Sequence, residues 1–156
     1  MKKLILLLAA VTILAACKKS NNDEVIVKTY PQVSFDQATM FESIGTATVI
    51  EPFYEKEQVR LVADLVTDTT LTLTMYEIKF NERMPVTIDM AVAKVGYVRT
   101  GEEIIFAADN VIPTAAGNPY EKYTVIGMSG KITPDSLNLT TKLGEYDCIY
   151  KGSFVK

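Results

Sequence analysis

Residues 69–80 read Thr-Thr-Leu-Thr-Leu-Thr-Met-Tyr-Glu-Ile-Lys-Phe. Leu71, Leu73 and Met75 alternate with Thr70, Thr72 and Thr74, the period of a strand with one buried and one open face. The apolar set then changes parity, because Tyr76, Ile78 and Phe80 fall on even positions. A one-residue slip would turn a buried set to the wrong face. The pattern therefore predicts a β-bulge or sharp bend near Met75–Glu77.

The same period continues on both sides. Val59, Leu61, Ala63 and Leu65 share one face, with Arg60 and Asp64 on the other. That second face is predicted to point outward, because the first is wholly apolar. Turn chemistry separates the runs: Thr67-Asp68, Asn81 to Pro85, Thr100-Gly101, Thr133-Pro134-Asp135-Ser136 and Leu143-Gly144-Glu145. Gly101 suits a tight hairpin that needs positive φ, and Pro134 suits a type I turn. Strands are expected over 45–51, 57–67, 69–80, 86–95, 96–100 with a break to 103–108, 121–132, 136–143 and 146–155. Residues 109–119 form the longest predicted loop. Val33 to Ala38 has a helix-start signature in which Ser34 caps and Gln37 reciprocates, predicting a short helix near 35–42. About eight regularly spaced strands with short turns indicate an all-β, antiparallel barrel or sandwich. At eight strands a closed barrel holds its own side chains or one small ligand.

The N-terminus has a different grammar. Lys2 and Lys3 precede an uncharged Leu- and Ala-rich run, Leu4 to Ala16. As a helix this run spans roughly 20 Å, short of the roughly 30 Å of a bilayer core. It reads as a removable export signal over residues 1–16. Ile13-Leu14-Ala15-Ala16-Cys17 resembles the bacterial lipobox, whose cysteine becomes an acylated mature N-terminus. The alternative is a cysteine that follows an ordinary signal peptide; position, flanks and small residues favour lipid attachment at Cys17. Several acyl chains anchor stably where one binds only marginally. Residues 17–40 are expected to be the lipidated N-terminus, a polar tether and the short helix, with the barrel over 41–156. Lys18 after the cysteine leans toward the outer membrane, with the periplasmic or surface face left open.

Composition excludes several functions. Removing Lys2 and Lys3 leaves 14 Lys and Arg against 19 Asp and Glu, a net of −5. An acidic chain without a basic run is a poor nucleic-acid binder. Histidine and tryptophan are absent. That removes the commonest general base and metal ligand together with the Ser-His-Asp triad. No phosphate loop, zinc spacing, calcium loop or nucleophile elbow is present, so no metal or cofactor is expected. Cys148 sits in an alternating apolar run and reads as a small hydrophobe.

Met75 to Asp89, with Phe80-Asn81, Met84-Pro85-Val86 and Ile88-Asp89, resembles the middle of the calycin-like (lipocalin-like) β-barrel lipoproteins exported by gut anaerobes. Ile44-Gly45-Thr46, Gly130-Lys131-Ile132 and Asp135-Ser136-Leu137 fit the same order, so the resemblance covers roughly 41–155. It implies a lipocalin-like barrel and carries over no catalytic or binding residues. The chain lacks the Gly-x-Trp start of secreted lipocalins, so their retinol- or haem-type ligands are not transferred.

The remaining candidates are few. Glu51, Glu55 and Glu57, and Glu102 with Glu103, cluster at turns and read as solvated charges rather than a glycosidase pair. Leu61, Leu73, Met75, Phe106 and Met128 could line a ligand pocket or could simply be core. Asp68-Thr69-Thr70 and Asp135-Ser136-Leu137 resemble short acceptor patterns for O-glycans, which makes Thr69 and Ser136 candidate acceptors. The expected function is a non-enzymatic, membrane-anchored barrel binding a small apolar or amphipathic ligand or a glycan. The alternative is a structural or accessory envelope protein that binds a protein partner through its outer surface.

Overall fold

The computed structural model describes residues 34–154. Cys17, the signal and the tether lie outside them. Ten strands follow in order: β1 Met40–Val49, β2 Tyr54–Leu65, β3 Thr70–Ile78, β4 Ile88–Thr100, β5 Glu103–Ala108, β6 Thr114–Ala115, β7 Asn118–Pro119, β8 Val125–Ile132, β9 Ser136–Leu143 and β10 Tyr146–Phe154. Eight of them, β3-β2-β1-β10-β9-β8-β5-β4, form an antiparallel sheet that a β3–β4 pairing closes into a barrel. The barrel fold is compatible with a calycin-like protein. The short β6–β7 hairpin extends the ladder beside β4, so the 109–119 loop is partly paired.

Four single-residue insertions shape the wall. Gln58, Glu77, Lys94 and Gly127 all have positive φ, and each sits where the ladder shifts register. The Glu77 bulge is the one that the parity change after Met75 predicts. Lys94 is less obvious and equally consequential. Before it Met90 and Val92 face inward; after it Val95, Tyr97 and Arg99 do. Val98 is thereby turned out to solvent.

Three local expectations are corrected. Residues 35–42 are not a helix: Ser34 O accepts from Gln37 N and Ala38 N in one turn, and β1 begins at Met40. One turn without a second adds no further helical hydrogen bonds, whereas β1 gains ladders on both sides. The strands expected over 86–95 and 96–100 are one continuous strand carrying the Lys94 bulge, and the break expected before 103 is the turn between β4 and β5. Glu121–Tyr123 forms a 3-10 turn, so the strand expected over 121–132 starts at Val125.

Both ends of the barrel carry packed side chains, and an open depression of about 390 Å³ lies beside the first, between residues 36–39 and 65–68. At the end where β1 starts, the Arg99 guanidinium donates to the carbonyl oxygens of Asp36 and, at 3.0 Å, of Ala38. This holds residues 34–38 as a strap over the mouth. Phe35 packs on Phe41 with ring centroids 5.1 Å apart, and Phe41 packs on Phe154. At the opposite end Phe80 stacks between Tyr123, at 4.4 Å, and Tyr146, at 5.3 Å, with Tyr120 set edge-on to Tyr123. Offset and edge-on rings are the favoured aromatic geometries.

Candidate functional site

The interior is the site that the sequence suggests, and the structure shows it to be full. Leu61, Leu73, Met75, Phe106 and Met128 are all buried in one apolar cluster. Only Leu61 and Met75 border a void, which has a volume of about 30 Å³ and also touches Phe80, Leu139, Cys148 and Tyr150. Leu73, Phe106 and Met128 pack elsewhere in the core. A void of this size holds a water or two and no larger guest. Two glycines show how tightly the wall is packed from within. A Cβ on Gly130 would lie 2.1 Å from the Phe106 ring, and one on Gly152 would lie 2.3 Å from the Tyr150 hydroxyl. Each glycine is thus covered by an aromatic side chain on the inner face.

The polar groups inside are satisfied structurally. Ser43 Oγ lies 3.0 Å from the Tyr150 hydroxyl, which donates to Val59 O at 3.2 Å. Burial pushes the Tyr150 phenol above its ordinary value, and the Ser43 hydrogen bond opposes this. Ser43 is fully buried and has no base beside it, so its hydroxyl is a bridge between strands rather than a nucleophile. Burial, aided by the neighbouring Asp147 carboxylate, pushes the Cys148 thiol up to about 12. At neutral pH it is a thiol and not a thiolate, and so is unreactive.

The surface candidates fall as follows. Glu51, Glu55 and Glu57 are exposed around the β1–β2 turn; Glu55 accepts from Thr48 Oγ1 at 3.2 Å, and Glu103 pairs with Lys131 at 2.9 Å. Among the described residues no three His, Cys, Asp or Glu side chains converge as a metal site. Thr69 is exposed in the β2–β3 turn. Ser136 is half-buried, with its Oγ engaged by Thr133 and Asn138. Arg60 and Asp64 face outward as expected. Arg60 pairs with Glu42 and lies 4.3 Å from the Tyr76 ring centroid. The outward-facing Val62, opposite Glu42 and Thr74 in the ladder, is only 8% exposed.

A second feature of the outer surface is visible only in the register. Gly96, Ala107, Ser129, Thr140, Ile149 and Thr48 stand side by side across β4, β5, β8, β9, β10 and β1. This row crosses six strands without a charge. Beside it run Val98, Ile105, Lys131, Asn138 and Lys151. On its other side lie Ile126, Lys142 and Asp147, with Ile50 N bonded to Asp147 O. Val98, Ile105 and Ile126 are 66%, 52% and 44% exposed. Small side chains in the row leave three shallow depressions, of about 540, 440 and 330 Å³, along this wall. Their linings are mostly apolar.

Comparison of the chain with protein-family models, with curated proteins and with solved structures found no match in any of the three.

Proposed function

We propose that this chain is an exported, lipid-anchored barrel of the bacterial envelope that works without catalysis, through its outer surface rather than its interior. One observation carries the choice of surface over interior. The core side chains leave about 30 Å³ of free space, and both mouths are covered, by the strap and by the Phe80–Tyr123–Tyr146 stack. A pocket for a drug-sized or lipid-sized guest needs about ten times that volume. The ligand-carrying alternative would require Leu61, Leu73, Met75, Phe106 and Met128 to separate, at a cost in apolar contacts that the fold has no visible means to offset. The absence of histidine supports the non-enzymatic reading, as does a half-buried Cys148 whose thiol is pushed up to about 12.

Anchoring rests on the lipobox resemblance around Cys17, and the outer-membrane assignment on Lys18. Two measurements test the proposal. Cys17→Ala is expected to leave the barrel folded and to move it from the membrane fraction to the soluble fraction; a variant that stays with the membrane overturns the anchor. Solvent extraction of the purified protein followed by mass spectrometry is expected to yield no stoichiometric small molecule. A bound lipid or glycan released in equimolar amount overturns the surface reading.

A further inference from the structure

We infer that the strap over residues 34–38 lies in a binding site at the barrel mouth, and that the ligand it excludes is a small monoanionic acid with an apolar body the size of one ring. The inference rests on the outer-surface reading: the site lies outside the packed core and is uncovered by moving the strap, not the core side chains. Arg99 is its polar half. The Lys94 bulge turns Arg99 to the inward parity, which brings a guanidinium to the rim of a barrel filled with apolar side chains. A charge in such a place is normally paired. Among the described residues no carboxylate lies within ion-pair distance of it. Its Nη groups donate to two uncharged acceptors, the carbonyl oxygens of Asp36 and Ala38, and its buried Nε bonds nothing among the described residues. The Asp36 carboxyl, on the same strap, is held below its usual range chiefly by the Ser34 side chain and least by Arg99. A carboxylate offers a guanidinium a matching fork of two oxygens and a charge that two carbonyls lack.

Phe35 is the apolar half. Its ring packs on Phe41 at 5.1 Å, Phe41 packs on Phe154, and the Arg99 guanidinium lies 5.6 Å from the Phe35 centroid. One ring beside two oxygen acceptors on one guanidinium is the outline of an aromatic acid. The strap can leave without opening the barrel. It belongs to no strand, Asp36 and Gln37 are exposed, and the hydrogen bonds of Gln37 N and Ala38 N both go to Ser34 O within the strap. The bond from Leu65 N to Thr39 O, at 2.7 Å, marks where the fixed backbone begins. The depression of about 390 Å³ beside the strap gives a way in, and its size is within the roughly 300–1,000 Å³ of small-molecule sites. Asp36 and Asp68 border it. Asp36 leaves with the strap but Asp68 stays, so a second negative charge on the ligand is opposed. The full core beneath Phe41 limits the ligand body to about the Phe35 ring that it replaces.

Calorimetric titration of the full chain in neutral detergent with benzoate, benzyl alcohol and inorganic phosphate tests this. Benzoate is expected to bind once per chain and to quicken hydrogen exchange at residues 34–38. The alcohol lacks the carboxylate and phosphate lacks the ring, and neither is expected to bind. Two variants are expected to move the affinity in opposite directions. Phe35→Ala removes the internal competitor and should tighten benzoate binding about tenfold, whereas Arg99→Gln should abolish it. A strap with a merely structural role produces no such opposition. Thermal melting establishes that each variant is folded; if Arg99→Gln does not fold, Phe35→Ala and the contrast of acid with alcohol still decide. Benzoate binding that Phe35→Ala weakens or leaves unchanged, or that Arg99→Gln leaves unchanged, overturns the inference and leaves the outer-surface reading standing, as does no binding to any variant. Phosphate binding in place of benzoate overturns the proposed ligand. Equal binding of benzoate and benzyl alcohol, unaffected by either substitution, puts the guest in the core and overturns both readings.

Discussion

The wall made by β1, β2 and β3 and the wall made by β4, β5, β8, β9 and β10 use the same architecture and treat their outward apolar residues in opposite ways. On the first, the long side chain of Arg60 lies across Tyr76 and pairs with Glu42, and the neighbouring Val62, between Glu42 and Thr74, is only 8% exposed. On the second, Val98, Ile105 and Ile126 stand bare beside a row of Gly, Ala, Ser and Thr. The stem of an arginine can cover apolar surface while its head stays wet. The bare wall has lysines too, and Lys131, Lys142 and Lys151 border its depressions. Met40, Phe53 and Val66, near β1 and β2, are as exposed, but they sit at strand ends and turns, whereas Val98, Ile105 and Ile126 lie within strands. Val98 and Ile105 are ladder partners, and Ile126 stands on the other side of the row.

Four changes break or sharpen that contrast. The largest effect is expected at Gly130, which faces inward behind the bare wall. Gly130→Ala sets a Cβ 2.1 Å from the Phe106 ring and 2.7 Å from the Asn138 carbonyl oxygen. Overpacking of this kind should cost about 2–3 kcal/mol, read from the urea midpoint. An unchanged midpoint would show that this wall is looser than the packing implies.

Second is the thiol on the inner side of the same wall. Cys148 should resist an aromatic disulfide reagent at pH 8 in the native state and react at once in guanidinium. Its pKa rises on folding from 9.0 to about 12. Between those values the unfolded thiol loses its proton while the folded one keeps it, so stability falls as pH rises through this window and is unaffected below it. Tyr150 and Tyr123, both raised mainly by burial, add the same sign. A urea midpoint that holds steady from pH 9 to 11 would contradict the burial of all three.

Third, Arg60→Ala should uncover Val62 and cost about 1 kcal/mol, with increased binding of a hydrophobic dye. That change would give the covered wall the character of the bare one. The smallest stability effect belongs to Ser129→Lys and Thr140→Glu, expected within about 0.5 kcal/mol of wild type because both positions are exposed. A larger loss of stability would show that these outward positions are packed more tightly than their exposure implies.

Much of the barrel is legible in the chain. The alternation at Thr70–Met75 identifies a strand, and the parity change at Tyr76 locates the Glu77 bulge, because the two apolar sets do not overlap. The Lys94 bulge is hidden by the opposite circumstance. Val95, Tyr97 and Val98 are apolar on both parities, so no slip is visible and Arg99 looks like a surface residue. Ser34 and Gln37 do make their turn, but local capping is outweighed by two strand ladders from Met40 onward. The five pocket candidates are legible as inward positions, and period alone cannot say whether inward means lining or filling. The bare wall is illegible for a different reason. Its row draws one residue from each of six strands, so it exists only in the register.

Arg99 has a consequence for force. Suppose the chain is pulled at Ser34, as an anchor upstream would pull it. The strap is held by Phe35 packing and by the two Arg99 hydrogen bonds, which can break in succession. Beyond Met40, β1 is bonded along its length to both β2 and β10, and a pull along its axis must break those ladders together in shear. The molecule then has a soft element in series with a stiff one. A pull of this kind would be absorbed by the strap, and the barrel would keep its shape.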